Sequence, residues 1–343
     1  MTNSRKFSTA NNFSQRRCGL WLGIFAVALL SFSLLSLCLG TTNHTPAEVW
    51  QVLTNDTPDS TAYRIILYIR LPRLLAAILA GGALAVAGAI IQAVLNNPLA
   101  SPNIIGINSG AGLLVLLCAA FLPNNAQLLP LAAFLGALLT ALLILFLSLG
   151  ENASRMTIIL TGIAISSIFG AGMNTIMIIN PDAYIGSASF LVGGLSSVTM
   201  EILHAPAVYI LIGLAAALFF RNELNILALG KNTAHALGMN VFRYQFLLMG
   251  IAAVLAGAAV SFAGLLGFVG LIVPHAVRFL LGNNNRCVLP AAALAGMAFV
   301  VFCDMLARVL FLPYELPVGI LMAFIGGPFF IYLIFRTRRR SKC

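Results

Sequence analysis

The sequence predicts an all-α protein, a polytopic transmembrane helical bundle with about ten spans. Of its 343 residues, 60% are hydrophobic and only 8% are charged, whereas a soluble domain is usually about one-quarter charged. The apolar residues also form long runs almost without charge, such as 20–39 and 74–91. A helix needs roughly 20 mainly apolar residues to cross a bilayer, and it satisfies its own backbone polar groups there. Repeated runs of this length therefore indicate a bundle of membrane-spanning helices.

The ten predicted spans follow the apolar runs and are separated by breaks at Pro, Asn and Gly. They lie near residues 20–40, 66–95, 105–122, 128–149, 155–178, 203–220, 242–263, 268–282, 287–310 and 316–335. The second span is longer than a bilayer requires, so we expect it to tilt or to begin outside the membrane. Residues 181–201 are half-apolar and rich in Gly and Ser. They are too short and broken to span, which favours a short helix on or within one face.

The distribution of Lys and Arg predicts the orientation. If the N-terminus is inside, only four of the 19 basic residues lie outside, namely Arg64, Arg70, Arg73 and Arg308. The positive-inside rule then gives an N-in, C-in topology. The net charge of +10 is accounted for by inner loops, so nucleic acid is not a predicted partner.

The chain divides into a polar cytoplasmic tail at 1–18, a single transmembrane domain at 19–336 and a basic cytoplasmic tail at 337–343. A basic start followed by an apolar run also resembles a cleaved signal. The run at 20–39 exceeds the usual apolar core of about 7–15 residues, and no clear cleavage site follows it. We therefore expect a retained first helix.

The sequence lacks the patterns that would predict an enzyme. It has no phosphate-binding loop for ATP hydrolysis and no zinc-protease or nucleophile-elbow motif. The six cysteines have no metal-ligand spacing and are predicted to be inert helix residues. We expect no catalytic residue, no bound cofactor and no metal site in this chain.

Ion-coupled transporters usually carry titratable groups in mid-membrane. Here only Asp304 lies well inside an apolar run, and Arg308 follows four residues later. This spacing places both charges on one helix face, which favours a structural ion pair. The energy source is therefore expected on another chain. An ion-coupled secondary transporter remains the alternative, with a membrane-embedded enzyme as a distant third.

Several blocks of sequence carry a resemblance to one family. They are Arg70-Leu-Pro-Arg73; Gly81-Gly82 with Gly88 and Gln92; Asn96-Asn97-Pro98-Leu99-Ala100-Ser101-Pro102; Gly106-x-Asn-Ser-Gly-Ala-Gly112; Leu227-Ala-Leu-Gly230 with Ala234 and Leu237-Gly238; Gly267-Phe-Val-Gly270-Leu-Ile-Val-Pro274-His275 with Arg278; Asp304 with Arg308; and Glu315-Leu-Pro317-Val-Gly319. In this order they resemble the FecCD-type permeases of binding-protein-dependent ABC importers, which include vitamin B12 and iron–siderophore permeases. The resemblance covers roughly residues 64–336.

The resemblance implies a type II ABC importer permease of ten helices in the bacterial inner membrane. A second permease subunit, identical or paralogous, would enclose the translocation path at the dimer interface. An ATPase subunit dimer, which uses the ATP, would bind inside, and a soluble or lipid-anchored substrate-binding protein would dock outside. The implied substrate is an iron–siderophore, haem, cobalamin or similar metal chelate, and molybdate-type oxyanions are an alternative within the family.

The resemblance also assigns site residues. Arg70, Arg73 and Arg308 would receive acidic residues of the binding protein, although each could instead be a lipid anchor, and Arg308 could pair with Asp304. Asn97 and Leu99, with Ser154 from the loop after the fourth span, would form the cytoplasmic gate, unless residues 97–100 are only a tight turn.

The coupling helices that contact the ATPase would lie at about 222–240. The residues assigned to coupling are Leu224, Leu227, Gly230, Ala234, Leu237 and Gly238. The local pattern is a helical apolar face with a break at Gly230. This pattern by itself equally describes an amphipathic connector on the membrane surface.

Overall fold

The computed structural model describes residues 2–54, 60–148 and 155–340. Fifteen α-helices make up this part of the chain. They are α1 Thr2–Cys38, α2 Pro46–Thr54, α3 Thr61–Ile65, α4 Leu71–Val94, α5 Ile107–Phe121, α6 Leu129–Ser148, α7 Arg155–Ile179, α8 Pro181–Val192, α9 Met200–Phe219, α10 Arg221–Ala228, α11 Lys231–Ala236, α12 Val241–Ala263, α13 Val269–Leu281, α14 Asn285–Val309 and α15 Val318–Arg340. The described residues contain no strand, so the all-α prediction is confirmed.

Seven helical segments in the described residues are long and apolar enough to cross a membrane. Three shorter apolar helices, Ile107–Phe121, Val269–Leu281 and Val318–Tyr332, accompany them. These ten segments occupy the positions of the ten predicted spans. The second predicted span is continuous helix over 34 residues, Thr61–Val94, through a turn of π-helix at Ile66–Arg70. The short helix predicted after residue 180 is α8.

Helix α4 lies at the centre of the bundle, where α9, α12, α13 and α14 pack around it. Nearly all of its residues are buried. Small residues let the backbones approach closely, which is how helices associate where lipid provides no hydrophobic driving force. A Cβ atom added at Gly81 would collide with the backbone of Gly296 in α14, and one at Gly88 with Gly270 in α13. The glycines of the quoted blocks therefore set the contact between these helices.

The structure describes most of the two predicted tails at the ends of the chain. Helix α1 begins at Thr2, so residues 2–18 of the predicted polar tail are helical and continuous with the first span. Helix α15 runs to Arg340, and residues 341–343 of the predicted basic tail lie outside the described residues.

Two of the six cysteines are bonded to each other, contrary to the expectation that they are inert. Cys18 in α1 forms a disulfide with Cys287 in α14, with Cα atoms 6.0 Å apart. The bond connects residues separated by 269 positions. The cysteine spacing could not reveal it, because the two residues lie on helices distant in sequence that meet only when α1 packs against α14.

Candidate functional site

Three arginines meet at the end of the bundle that the charge bias predicts to be outer. Arg70 directly precedes α4, Arg73 lies in the first turn of α4, and Arg308 lies in the last turn of α14. We call Arg70, Arg73, Arg308, Asp304 and Glu315 the outer arginine cluster. The sequence predicted the three arginines as docking residues, and the fold brings all three together.

Arg73 is held by two carboxylates. Its Nε lies 2.9 Å from Asp304 Oδ1 and 3.1 Å from Oδ2, and its Nη1 lies 2.6 Å from Glu315 Oε2. Asp304 also faces Arg308, whose Nε is 3.3 Å from Oδ2, an ion pair without hydrogen-bond geometry. The predicted pairing of Asp304 with Arg308 is therefore present. Arg73 is the additional partner that sequence spacing could not indicate, since it lies 231 residues away.

The other arginine contacts go to the end of α1 and the residues after it. Arg70 donates to the carbonyl oxygens of Leu37 and Thr42, and Arg308 donates to the carbonyl and hydroxyl of Ser36. The cluster thus connects the end of α1 to α4 and α14. Burying these guanidinium groups is tolerable because carbonyls and carboxylates pair with each of them, although Arg308 Nε makes only an ion pair and no hydrogen bond.

The two carboxylates of the cluster differ in their exposure to solvent. Arg70, Arg73 and Arg308 are only 4%, 5% and 4% exposed, and Asp304 is 1% exposed. The Glu315 side chain is 36% exposed. The surface of the cluster is therefore an acidic group covering Arg73. Sequence reasoning missed this role of Glu315, although Glu315 lies in a block that carried the resemblance.

The predicted gate residues lie in a turn at the opposite end of α4. Helix α4 ends at Val94, and Asn96 has a left-handed backbone with φ of 44°. Asn97 Oδ1 accepts a hydrogen bond from the Leu99 amide at 3.0 Å, the pattern by which Asn closes a turn. Asn97 and Leu99 are both partly exposed. Ser154, the third predicted gate residue, lies outside the described residues.

The predicted coupling segment forms two short helices, α10 and α11, separated at Gly230. Gly230 and Gly238 have φ angles of +107° and +79°, which favour glycine at both breaks. Leu224, Leu227 and Ala234 are buried. Leu237 is 63% exposed, and so is Leu229, which was not among the predicted residues. The segment thus presents two leucines outward.

The coupling segment is bound to the start of α14 by side-chain amides. Asn225 donates to Asn284 Oδ1 at 3.1 Å and accepts from the Asn285 amide at 2.7 Å. Arg286 Nε donates to Asn222 Oδ1 at 3.0 Å. Helix α14 therefore contacts the coupling segment at one end and supplies Asp304 and Arg308 to the outer arginine cluster near its other end.

Comparison with known proteins assigns the chain to a family. Residues 28–336 match the FecCD transport family. This chain belongs to the FecCD transport family.

Individual relatives of this FecCD chain match over most of its length. It is 37% identical over 329 residues to the hemin transport system permease protein HmuU of Yersinia pestis, covering 94% of this chain and 97% of that protein. It is 36% identical to the Fe(3+)-citrate import system permease protein YfmE of Bacillus subtilis, covering 95% and 98% respectively. It is 39% identical to the cobalamin import system permease protein BtuC of Halobacterium salinarum, covering 80% and 74%.

A solved structure shows the same fold. It is described as an inward-facing conformation of an ABC transporter assigned to the metal-chelate type. It is 28% identical, with a TM-score of 0.81, and the match covers 92% of this chain and 98% of that one. The chain is therefore a multi-pass membrane permease of the ABC-importer type, a class of transport subunit that is not itself an enzyme.

Proposed function

We propose that this FecCD permease is the membrane-spanning subunit of an ATP-driven importer for an iron–siderophore, haem, cobalamin or related metal chelate in a bacterial inner membrane. The observation that carries the proposal is the near full-length similarity to permeases named for hemin, Fe(3+)-citrate and cobalamin import. The paucity of isolated titratable groups in the spans supports it further. Asp304, the acidic residue deep in an apolar run, already has two arginine partners, so it is poorly suited to carrying protons.

In this proposal two permease subunits enclose the path, and an ATPase dimer acts on α10 and α11. The outward positions of Leu229 and Leu237 support an apolar contact with that partner, because exposed leucines in a cytoplasmic segment otherwise remain in water. The turn at Asn97 and Leu99, with Ser154, acts as the cytoplasmic gate. ATP-driven movement of α10 passes to α14 through Asn222 and Asn225.

The outer arginine cluster is the docking surface for the binding protein in this proposal. Its support is an excess of positive charge at an end where the positive-inside rule leaves few basic residues. Because Glu315 covers Arg73, docking of an acidic residue exchanges one carboxylate for another. Exposed rim charges such as Glu315 govern the encounter rate, whereas exchange at the buried Arg73 acts on the dissociation rate of the partner.

The test is transport by the complete complex, purified from its native membrane and reconstituted into liposomes. Radioactive ferric siderophore, haem or cobalamin is supplied together with the binding protein on the side where that protein docks. ATP is supplied on the opposite side of the membrane, where the ATPase lies. We expect uptake of one substrate class that requires ATP and continues when an ionophore collapses the proton gradient. Uptake driven by a proton gradient without ATP would instead establish the secondary-transporter alternative.

A further inference from the structure

The disulfide between Cys18 and Cys287 lies at the end of the bundle that the charge bias predicts to be cytoplasmic. Cys18 directly follows Arg16 and Arg17, and Cys287 directly follows Arg286, all of which the positive-inside rule places inside. Cytoplasmic thiols are kept reduced, and the disulfides that form there are usually transient or redox-sensing. A permanent structural crosslink is therefore not the expected role of a bond at this end.

The bond is the innermost contact between α1 and α14, which run side by side in the same direction. Arg308 donates to Ser36 at the outer end of this pair of helices, and Cys18 is bonded to Cys287 at the inner end. Within residues 16–35, Cys18 is the only buried residue of α1. Opening the bond therefore removes the covalent link at the inner end of α1 and leaves the outer contact in place.

Cys287 lies in the same turn of α14 as the residues that contact the coupling segment. The Asn285 amide donates to Asn225 Oδ1 at 2.7 Å, and Arg286 Nε donates to Asn222 Oδ1 at 3.0 Å. Both contacts and the Cys287 sulfur thus belong to three consecutive residues. A bond from Cys287 to α1 restrains the part of α14 to which α10 is attached.

We propose that Cys18 and Cys287 form a reversible redox site, bonded under oxidising conditions and a pair of thiols in a reducing cytoplasm. The bonded form restrains the start of α14 and slows the movement that α10 passes to it. This effect on coupling rests on the proposed function, in which the ATPase acts on α10 and α11. The structure, which contains the bond, corresponds to the restrained form.

The chemistry requires a peroxide as the oxidant and a dithiol as the reductant. Cys287 is partly exposed and Cys18 is buried, so the peroxide reaches Cys287 first. One oxygen of hydrogen peroxide is transferred to the Cys287 thiol, which becomes a sulfenic acid as one water leaves. The Cys18 thiol then attacks that sulfur, the S–S bond forms, and the sulfenic oxygen leaves as a second water. A dithiol reverses the bond by thiol–disulfide exchange and is itself oxidised to a disulfide.

The first test measures the thiol state of the full-length permease in its own membrane. Cells are quenched with acid before and after brief exposure to hydrogen peroxide, free thiols are alkylated, and mass spectrometry quantifies both cysteines. We expect free thiols at Cys18 and Cys287 in untreated cells, a disulfide after peroxide, and thiols again after recovery. A bond that is already complete in untreated cells, or thiols that peroxide leaves unbonded, overturns the proposal.

The second test measures the restraint on the coupling segment without ATP or transport. Hydrogen–deuterium exchange of residues 221–236 is compared between the oxidised and the dithiothreitol-reduced permease in detergent. We expect exchange there to be at least about fivefold slower in the oxidised form, the lower end of the range typical of coupling between sites. Equal exchange in the two forms overturns the proposal.

Matched cysteine variants assign the effect to this bond. Cys287→Ser should exchange like reduced wild type under both conditions, and so should Cys18→Ala. Cys118→Ser removes a partly exposed cysteine outside the bond, and it should respond to oxidation like wild type. A melting curve for each variant under reducing conditions verifies that it is folded.

The third test compares substrate-stimulated ATP hydrolysis by the complete complex. We expect oxidation to lower it in wild type and in Cys118→Ser, dithiothreitol to restore it, and Cys287→Ser to keep its activity throughout. An equal loss in the Cys287→Ser complex places the sensitive thiol elsewhere and overturns the proposal. The first two tests need no ATP, so if they succeed while uptake proves to be driven by a proton gradient, the proposed function fails and the redox site stands.

Discussion

Arg73 lies between two carboxylates that differ in their contact with water. Asp304 is almost fully buried and also faces Arg308, while Glu315 is partly exposed and contacts only Arg73 among the described ion pairs. Removing one partner of a buried ion pair leaves an uncompensated charge. The free-energy cost of that charge is far larger than the stabilisation that the intact pair contributed. An exposed pair contributes little, because water and salt screen it. The two acids should therefore respond differently to the same chemical change.

We predict that Asp304→Asn lowers the free energy of unfolding by about 3–5 kcal/mol, because Arg73 and Arg308 then lose their buried countercharge. Glu315→Gln is the matched variant, and it should cost no more than about 1 kcal/mol. Thermal denaturation of the purified permease in detergent measures both. Equal melting temperatures for the two variants would show that burial does not determine the strength of this cluster.

At the scale of elements, some apolar residues of the coupling segment pack into the protein and others face outward. Leu224 and Leu227 of α10 pack inward, as does Ala234 of α11, whereas Leu229 and Leu237 lie at the helix ends and point outward. The breaks at Gly230 and Gly238 place these leucines outside the helices. The same residue type therefore has two roles within one short segment. Only the outward leucines are available to a partner.

We predict that Leu237→Asp folds normally but loses coupling to the ATPase. An exposed substitution usually changes stability by no more than about 0.5 kcal/mol, while a charge in the apolar contact weakens the interaction with the partner. Leu224→Asp places a charge in the packed interior and should reduce stability and expression instead. Melting curves and substrate-stimulated ATP hydrolysis by the complete complex distinguish the two. Full stimulation in the Leu237→Asp complex would refute a coupling role for this leucine.

At the scale of the whole molecule, α14 connects the two candidate sites. It has 25 residues, so it spans roughly 37 Å at the α-helical rise. Near one end it carries Asp304 and Arg308, and at the other its turn is bonded to Asn222 and Asn225 of α10. Close backbone packing against α4 at Gly81 and Gly296 keeps it in the centre of the bundle. This path combines packing with side-chain hydrogen bonds, which is one physical form that coupling between two faces takes.

We predict that the two faces lie on opposite sides of the membrane, with α10 and α11 inside. Single cysteines at Trp50 in α2 and at Leu229, both exposed, report this in a background without the native cysteines. A membrane-impermeant maleimide added to intact cells should label Trp50→Cys at once and Leu229→Cys only after lysis. The reverse pattern would contradict the orientation derived from the basic residues.

Much of the fold was predictable because the length and hydropathy of a contiguous segment decide whether it can span a membrane. Length and apolar content place the ten spans at the observed apolar helices, and the break after residue 180 marks α8. The candidate residues were predicted from short blocks of sequence that include Gly230 and Gly238. The structure shows that both positions have backbone angles that favour glycine. Leu229 was missed, because its position just beyond α10 is what exposes it. The apolar periodicity of the segment gave no sign of this.

By itself, the sequence determined that the chain crosses a membrane as an all-α bundle, which family it resembles, and where its basic residues lie. Only the tertiary structure decided the partners: Arg73 with Asp304 and Glu315, Cys18 with Cys287, and α10 with the start of α14. It also decided which apolar residues are interior. Phe146 is 83% exposed and Leu224 is 0% exposed, yet both are apolar, because lipid and protein interior are similar solvents for such side chains. Hydropathy therefore fixes the spans, whereas contacts between helices distant in sequence fix the sites.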